Sequence, residues 1–336
     1  MDTNIYKNNK QSLFKSIIKN TGIAVAIGIL LVLLVELGVL NRQYINLLPQ
    51  LGYYVILTVS LNLVSGFLGE LTLGHAAFMS CGAYISSLIT LNIDFGWLPS
   101  ILIAMLVGGI CAAILGFFFR MAVIRLSGDY LAIVTLALGE IIKSIFNSMN
   151  SITGGPQGLS NATYYTDKSH YLFIYIIVVV CVIFMSCLIK TRLGRAIRAV
   201  RDNEIAAEAT GVPINRIKVI TFVISAFFAG IAGVIYAHNL NIIKPNYFDY
   251  NMSINILLIA VLGGLGSIKG SIISVIVIVL LPEMLRVIGD YRMLIYSLAL
   301  IIIMIFNNSK MKKRLVDSGK LPSFSKLIFK KKKEEA

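Results

Sequence analysis

Charged residues are scarce in this chain. Asp, Glu, Lys and Arg make up 14% of its 336 residues, where a water-soluble domain carries about a quarter. Acidic residues are the scarcer class, 16 against 30 basic, and the formal charge is +14. A soluble globular domain is excluded. Histidine occurs three times and tryptophan once. The four cysteines, Cys81, Cys111, Cys181 and Cys187, all sit in apolar runs with no histidine at ligand spacing. They form neither a disulfide framework nor a zinc site, and read as small core residues. A phosphate-binding G-x-x-x-x-G-K-[ST] is missing, and the nearest glycine-rich stretch, 263–270, lacks its ending. There is no nucleophile elbow and no H-E-x-x-H. No enzyme is read here, and no catalytic, cofactor-binding or metal residue is assigned.

Apolar sequence dominates instead. Hydrophobic residues are 57% of the chain, roughly 190 residues, and a bilayer span takes about 20. Runs at 22–40, 44–65, 72–91, 97–119, 128–146, 171–189, 219–237, 253–268, 271–288 and 293–308 predict an all-α, polytopic membrane protein of about ten spans. The first run is longer than a signal-peptide core and is read as retained. With the N-terminus inside, the cytoplasmic segments hold 24 basic residues: four before residue 20, Arg120, Arg125, seven from Lys190 to Lys218, Lys269, and ten from Lys310 onward. Only Arg42, Lys168, Lys244 and Arg292 fall outside. That asymmetry is the positive-inside bias, and one span more or fewer would scramble it. Both termini are expected in the cytoplasm. The basic excess therefore indicates orientation and no nucleic acid.

Two ionisable pairs lie within spans. Glu140 and Lys143 share a helix face at i,i+3 spacing near the outer end of the fifth run, and Glu283 and Arg286 repeat this in the ninth. Two central charges would cost about 5–7 kcal/mol, against about 3–5 kcal/mol gained from the apolar residues of the fifth run. Such a span inserts comfortably only with its charges paired or off-centre. An interfacial ion pair, an outer gate and a proton relay are all open readings. Trp97 suits an interfacial anchor, and His75, His170 and His238 read as satisfied boundary residues.

Small residues crowd GELTLGHAAFMSCGAY (69–84), and LGGLGS (262–267) interrupts the second half. Small faces let helix backbones approach in lipid. Glycine-broken, shortened spans in corresponding halves point to a transport site near the bilayer middle. Together with GDYLAIVTLALGEI (128–141), ITGGPQGL (152–159), residues 194–238 and ILLIAVLGGLGSIKGS (256–271), these blocks resemble the LivM-type permease subunit of branched-chain amino acid ABC importers. The likeness runs from about residue 50 to 300. It departs at Lys269 and Ser271, where an aromatic residue and a proline would be expected.

The loop 190–218 leads through Arg198 and Arg201 into Asp202, a candidate N-cap, then Asn203, Glu204, Ala207 and Glu208, and ends at Gly211 before Pro213. A short capped helix suits a mechanical contact. The resemblance implies that it is the coupling helix docking on an ATPase subunit. It further implies an ABC importer permease fold, a LivH-type second permease and two cytoplasmic ATPase subunits. ATP would be used by those partners, with no cofactor on this chain. An extracellular or periplasmic amino-acid-binding protein would face the external loop 147–170. The setting would be a bacterial-type plasma (inner) membrane and the substrate leucine, isoleucine or valine. A urea, short-amide or other amino-acid importer is the alternative within the class, and a self-sufficient secondary carrier the alternative outside it. Pathway or gate candidates are Asn62, Ser65, Thr72, Gly74, His75, Glu140, Gly263 and Gly264. The chain thus divides into a basic N-terminal tail (1–20), a permease domain (21–308) and a basic tail (309–336). In that last tail, apolar residues precede Lys330 to Lys333, and either a lipid-bound or a solvated state fits.

Overall fold

The structure, a computed structural model, describes residues 42–92, 96–126, 128–160, 170–291 and a few positions between 294 and 305. The first apolar run and most of the tenth lie outside these residues, as do both tails. The chain divides after Ile276 into two compact units.

The larger unit is built from helices. They are α1 (Arg42–Asn62), continued by a π-helical turn (Leu63–Leu68), α2 (His75–Asn92), α3 (Trp97–Ala122), α4 (Asp129–Ser148) and the single turn α5 (Asn150–Thr153). Then come α6 (His170–Lys190), α7 (Arg192–Asp202), α8 (Glu204–Ala209), α9 (Ile214–His238) and α10 (Tyr250–Gly263). Two-residue strands β1 (Leu159–Ser160) and β2 (Ile242–Ile243) pair antiparallel. Helix α11 (Ile268–Met284) crosses the unit boundary; beyond it, in the smaller unit, a 3-10 segment runs from Leu285 to Tyr291.

Five helices among the described residues are long and apolar enough to cross a membrane: Leu47–Leu68, Trp97–Ala122, Asp129–Ser148, Tyr171–Lys190 and Ile214–His238. They fall on the second, fourth, fifth, sixth and seventh apolar runs. Helix α10 has 14 residues and spans about 21 Å at 1.5 Å per residue, short of a hydrocarbon core of about 30 Å.

Helices α2, α3 and α9 pack on one another at the centre, and α1 packs against α9. The small residues of α2 explain why. A Cβ at Gly82 would run into the Gly230 carbonyl of α9, and one at Gly233 into the Met79 carbonyl of α2. Backbone touches backbone there, which glycine alone permits and which replaces the hydrophobic drive absent between helices in lipid. The window of α1 is 89% buried and that of α4 only 17%. Helix α4 is therefore peripheral in this subunit, with Ile133, Ile141 and Ile145 exposed along one stripe.

Candidate functional site

The ends of the central helices that carry basic residues converge, and the loop 190–218 is fastened to them. Helix α7 starts at Thr191, whose hydroxyl accepts from Gly194 N–H. Arg198 turns back to donate to the carbonyls of Gly194 and Ile189, at 3.3 and 3.4 Å, and so serves the C-terminal end of α6. Arg201 donates to Gly66 O at 3.2 Å and pairs with Asp202 at 2.9 Å. The expected N-cap of the coupling helix moves by one residue. Asn203 caps α8, its Oδ1 accepting from Ala206 N–H at 3.0 Å, while Asp202 closes α7. Asn203 has the extended backbone that an N-cap needs. Asp202 is still helical, and its carboxylate is occupied by Arg201.

Helix α8 ends as its sequence predicts. Gly211 has φ +83°. Its N–H reaches Glu208 O, and Val212 N–H reaches Ala207 O, the paired bonds of a Schellman stop. Ala207 is buried, whereas Ile205 is 81% exposed. A short rigid helix thus presents one bare aliphatic side chain.

Behind α8 lies an ion network. Glu204 pairs with Lys218 of α9. Lys218 Nζ also lies 3.0 Å from Glu70 Oε1. Glu70 is held by Arg120 at 2.8 Å, and Arg120 is fully buried. The sequence reading placed Arg120 and Lys218 among the orienting cations and passed over Glu70. The available signal was Glu70 itself, a carboxylate at the end that the basic residues mark.

The pathway candidates fall into three places. Asn62, fully buried, joins the two halves: its Nδ2 donates to Ser271 Oγ at 2.7 Å and Ser267 O at 3.2 Å, and its Oδ1 accepts from Gly266 N–H at 2.7 Å. Gly263 packs against Gly270 so closely that no Cβ fits, while Gly264 makes the turn at φ +88°. Ser65 lies next to Asn62's end of the helix, in the π-helical turn, buried and with its hydroxyl unpartnered. Thr72, Gly74 and His75 form a second group. Thr135 Oγ1 accepts from Leu73 N–H. His75 Nε2 lies 3.0 Å from Ser225 Oγ, which donates to Ser60 O at 2.5 Å. Because that serine proton is committed to Ser60, Nε2 is the donor to Ser225. Ser253 accepts from Ala76 N–H. Neither Ser225 nor Ser253 was singled out from sequence, since serine in an apolar run gives no periodic signal. Glu140 belongs to neither group. It pairs with Lys143 at 3.0 Å and accepts Tyr250 N–H at the start of α10. In the smaller unit, Arg286 and Glu283 pair at 3.2 Å.

The described residues thus combine a polar, broken-helix interior with a short capped helix that leaves Ile205 exposed. Residues 43–306 match the family described as "Branched-chain amino acid transport system / permease component". The chain belongs to that family. It is 32% identical over 297 residues to the high-affinity branched-chain amino acid transport system permease protein LivM of Escherichia coli K12, covering 79% of this chain and 69% of that one. Its identity to the LivH permease of the same strain is 26%, covering 70% and 84%. The ribose import permease RbsC of Haemophilus influenzae is 24% identical, covering 83% and 91%. No solved structure matches this permease.

Proposed function

We propose that this permease is one of two membrane subunits of an ATP-driven importer of branched-chain amino acids. Its partner is a LivH-type permease, two ATPase subunits lie in the cytoplasm, and a binding protein delivers substrate to the loop 147–170 from outside. The chain crosses a bacterial-type plasma membrane ten times with both termini inside. ATP is bound and hydrolysed on the partner chains. Coupling enters through Arg198 to Gly211.

The observation that carries this reading is α8. It is six residues long, capped at both ends, bare at Ile205, and tied to α9 by Glu204 and to the π-helical turn by its neighbour Arg201. A helix built in this way transmits a push. Helix α4 supports the second half of the proposal. Ile141, Ser144, Ile145, Ser148 and Met149 are exposed together on its uncovered side. An exposed aliphatic face with two hydroxyls suits contact with a second membrane subunit and with an aliphatic amino acid passing between the two, and we assign this stripe to the pathway shared with the second permease. Asn62, Ser65, Thr72, Gly74, His75, Gly263 and Gly264 are proposed pathway or gate residues, and Glu140 directly precedes the stripe on α4.

The test is uptake of labelled leucine by the complete transporter in proteoliposomes, with unlabelled competitors. Leucine, isoleucine and valine are expected to compete and urea and ribose not to. Ribose enters the panel because of the likeness to RbsC. Competition by urea or ribose alone would replace the substrate assignment. Uptake by this chain without its partners would replace the mechanism. Glu208→Arg on α8 is expected to leave membrane insertion intact and to lower uptake per ATP hydrolysed by about tenfold; unchanged uptake would remove α8 from the coupling role.

A further inference from the structure

Four charged side chains connect α8 to the interior in an unbroken series. Glu204 opens α8 and pairs with Lys218 near the start of α9. Lys218 also meets Glu70, in the segment between the π-helical turn and α2, at 3.0 Å. Glu70 takes both terminal guanidinium nitrogens of Arg120, near the end of α3, at 2.8 and 3.0 Å. Side-chain exposure falls along the series, from 52% at Glu204 to 8% at Lys218 and Glu70 and 0% at Arg120. Two cations and two anions make a neutral set, but only while Glu204 belongs to it. If α8 swung away alone, three groups carrying a net +1 would stay behind in a low dielectric, which is strongly unfavourable. The Arg120–Glu70 pair, hydrogen-bonded through Nη2 and in ion-pair contact through Nη1, is also directional and resists the sliding that apolar contacts allow.

We infer that Lys218 is a positioning residue of the transport cycle: the series Glu204–Lys218–Glu70–Arg120 is a rigid link that makes α8, α9, α3 and the segment before α2 move as one body. The inference rests on the reading of α8 as the surface an ATPase subunit pushes. Displacement of the exposed helix then reaches the central bundle without a hinge at residues 210–213.

The discriminating variant is Lys218→Met in the complete transporter in proteoliposomes. It removes one cation, leaves Arg120 and Glu70 mutually neutral inside, and leaves Glu204 at the exposed edge. The link is cut with no buried charge left unpaired. ATP hydrolysed per leucine taken up is expected to rise roughly tenfold, with hydrolysis retained. Lys218→Arg, which keeps the cation between both carboxylates, is expected to restore the ratio. A residue needed only for folding would reduce hydrolysis and uptake in proportion through loss of assembled complex. An unchanged ratio in Lys218→Met therefore overturns the link. The underlying reading is checked separately, with Lys218 intact, by cross-linking Ile205→Cys to an ATPase subunit. A cross-link together with an unchanged ratio sinks the link and spares the reading. No cross-link sinks both, since nothing would then drive α8.

Discussion

Asn62 shows what one polar side chain does in an apolar bundle. Its amide satisfies Gly266 N–H, Ser267 O and Ser271 Oγ together, which ties the end of α1 to the turn between α10 and α11. Asn62→Leu keeps much of the volume and deletes all three bonds. Each buried polar group left without a partner costs about 1–3 kcal/mol. The variant is expected to lower the melting temperature of the detergent-solubilised transporter, and a melting curve superimposable on the unaltered one would show that the bridge carries no stability. The departure from the family pattern at Ser271 acquires a reason here. Its hydroxyl is one of the groups that Asn62 holds, and a proline could not supply it. Arg120 is the counterpart among charges. Counted along the sequence it is an orienting cation; in three dimensions it is fully buried against Glu70, because a cation drawn under the interface persists only with a paired anion.

At the scale of elements, the helices follow from apolar length and their contacts from small residues. Gly82 and Gly230 sit where α2 and α9 touch. Gly230→Val is expected to abolish accumulation of the intact subunit in the membrane, because the added side chain meets Ala112 as well as the backbone of Gly108 and Gly109. Normal accumulation, read by immunoblot of the membrane fraction, would show that the helices can separate cheaply. The positions of five spans were legible because nearly 20 consecutive apolar residues admit one interpretation in lipid. The cap of α8 was legible only to within one residue. Asp202 and Asn203 are both good caps by type, and the choice fell to Asn203 because Arg201 claims the Asp202 carboxylate. The π-helical turn carries no sequence signature, and it matters, since the Gly66 carbonyl within it receives Arg201.

For the whole molecule, orientation is the property that every other assignment leans on. Cysteine introduced at Tyr165 is expected to react with an impermeant reagent added outside intact cells, and cysteine introduced at Asn203 only after permeabilisation. The reverse pattern would invert the topology and detach α8 from any cytoplasmic partner. Arg120, Lys218, Arg201 and Glu204 make their contacts at one end of the bundle, the end that the labelling experiment is expected to place inside. The shallow cover over α4, against the near-complete burial of α1, leaves the surface on which the proposed second permease would sit.

The motif blocks named the family, while composition and the order of apolar runs were enough to determine a helical membrane protein and to predict its sidedness. These properties depend on transfer free energies that add along the chain and need no knowledge of which helix meets which. The ion series behind α8, the Asn62 bridge and the His75–Ser225–Ser60 chain needed the tertiary structure. Apart from Glu204 and Lys218, their contacting members are separated by 50 to 209 positions in sequence, and a side chain's cost in a bilayer depends on the partner it finds. The scarcity of charge makes those few partners decisive, because in a low dielectric each buried ion has to be matched by another.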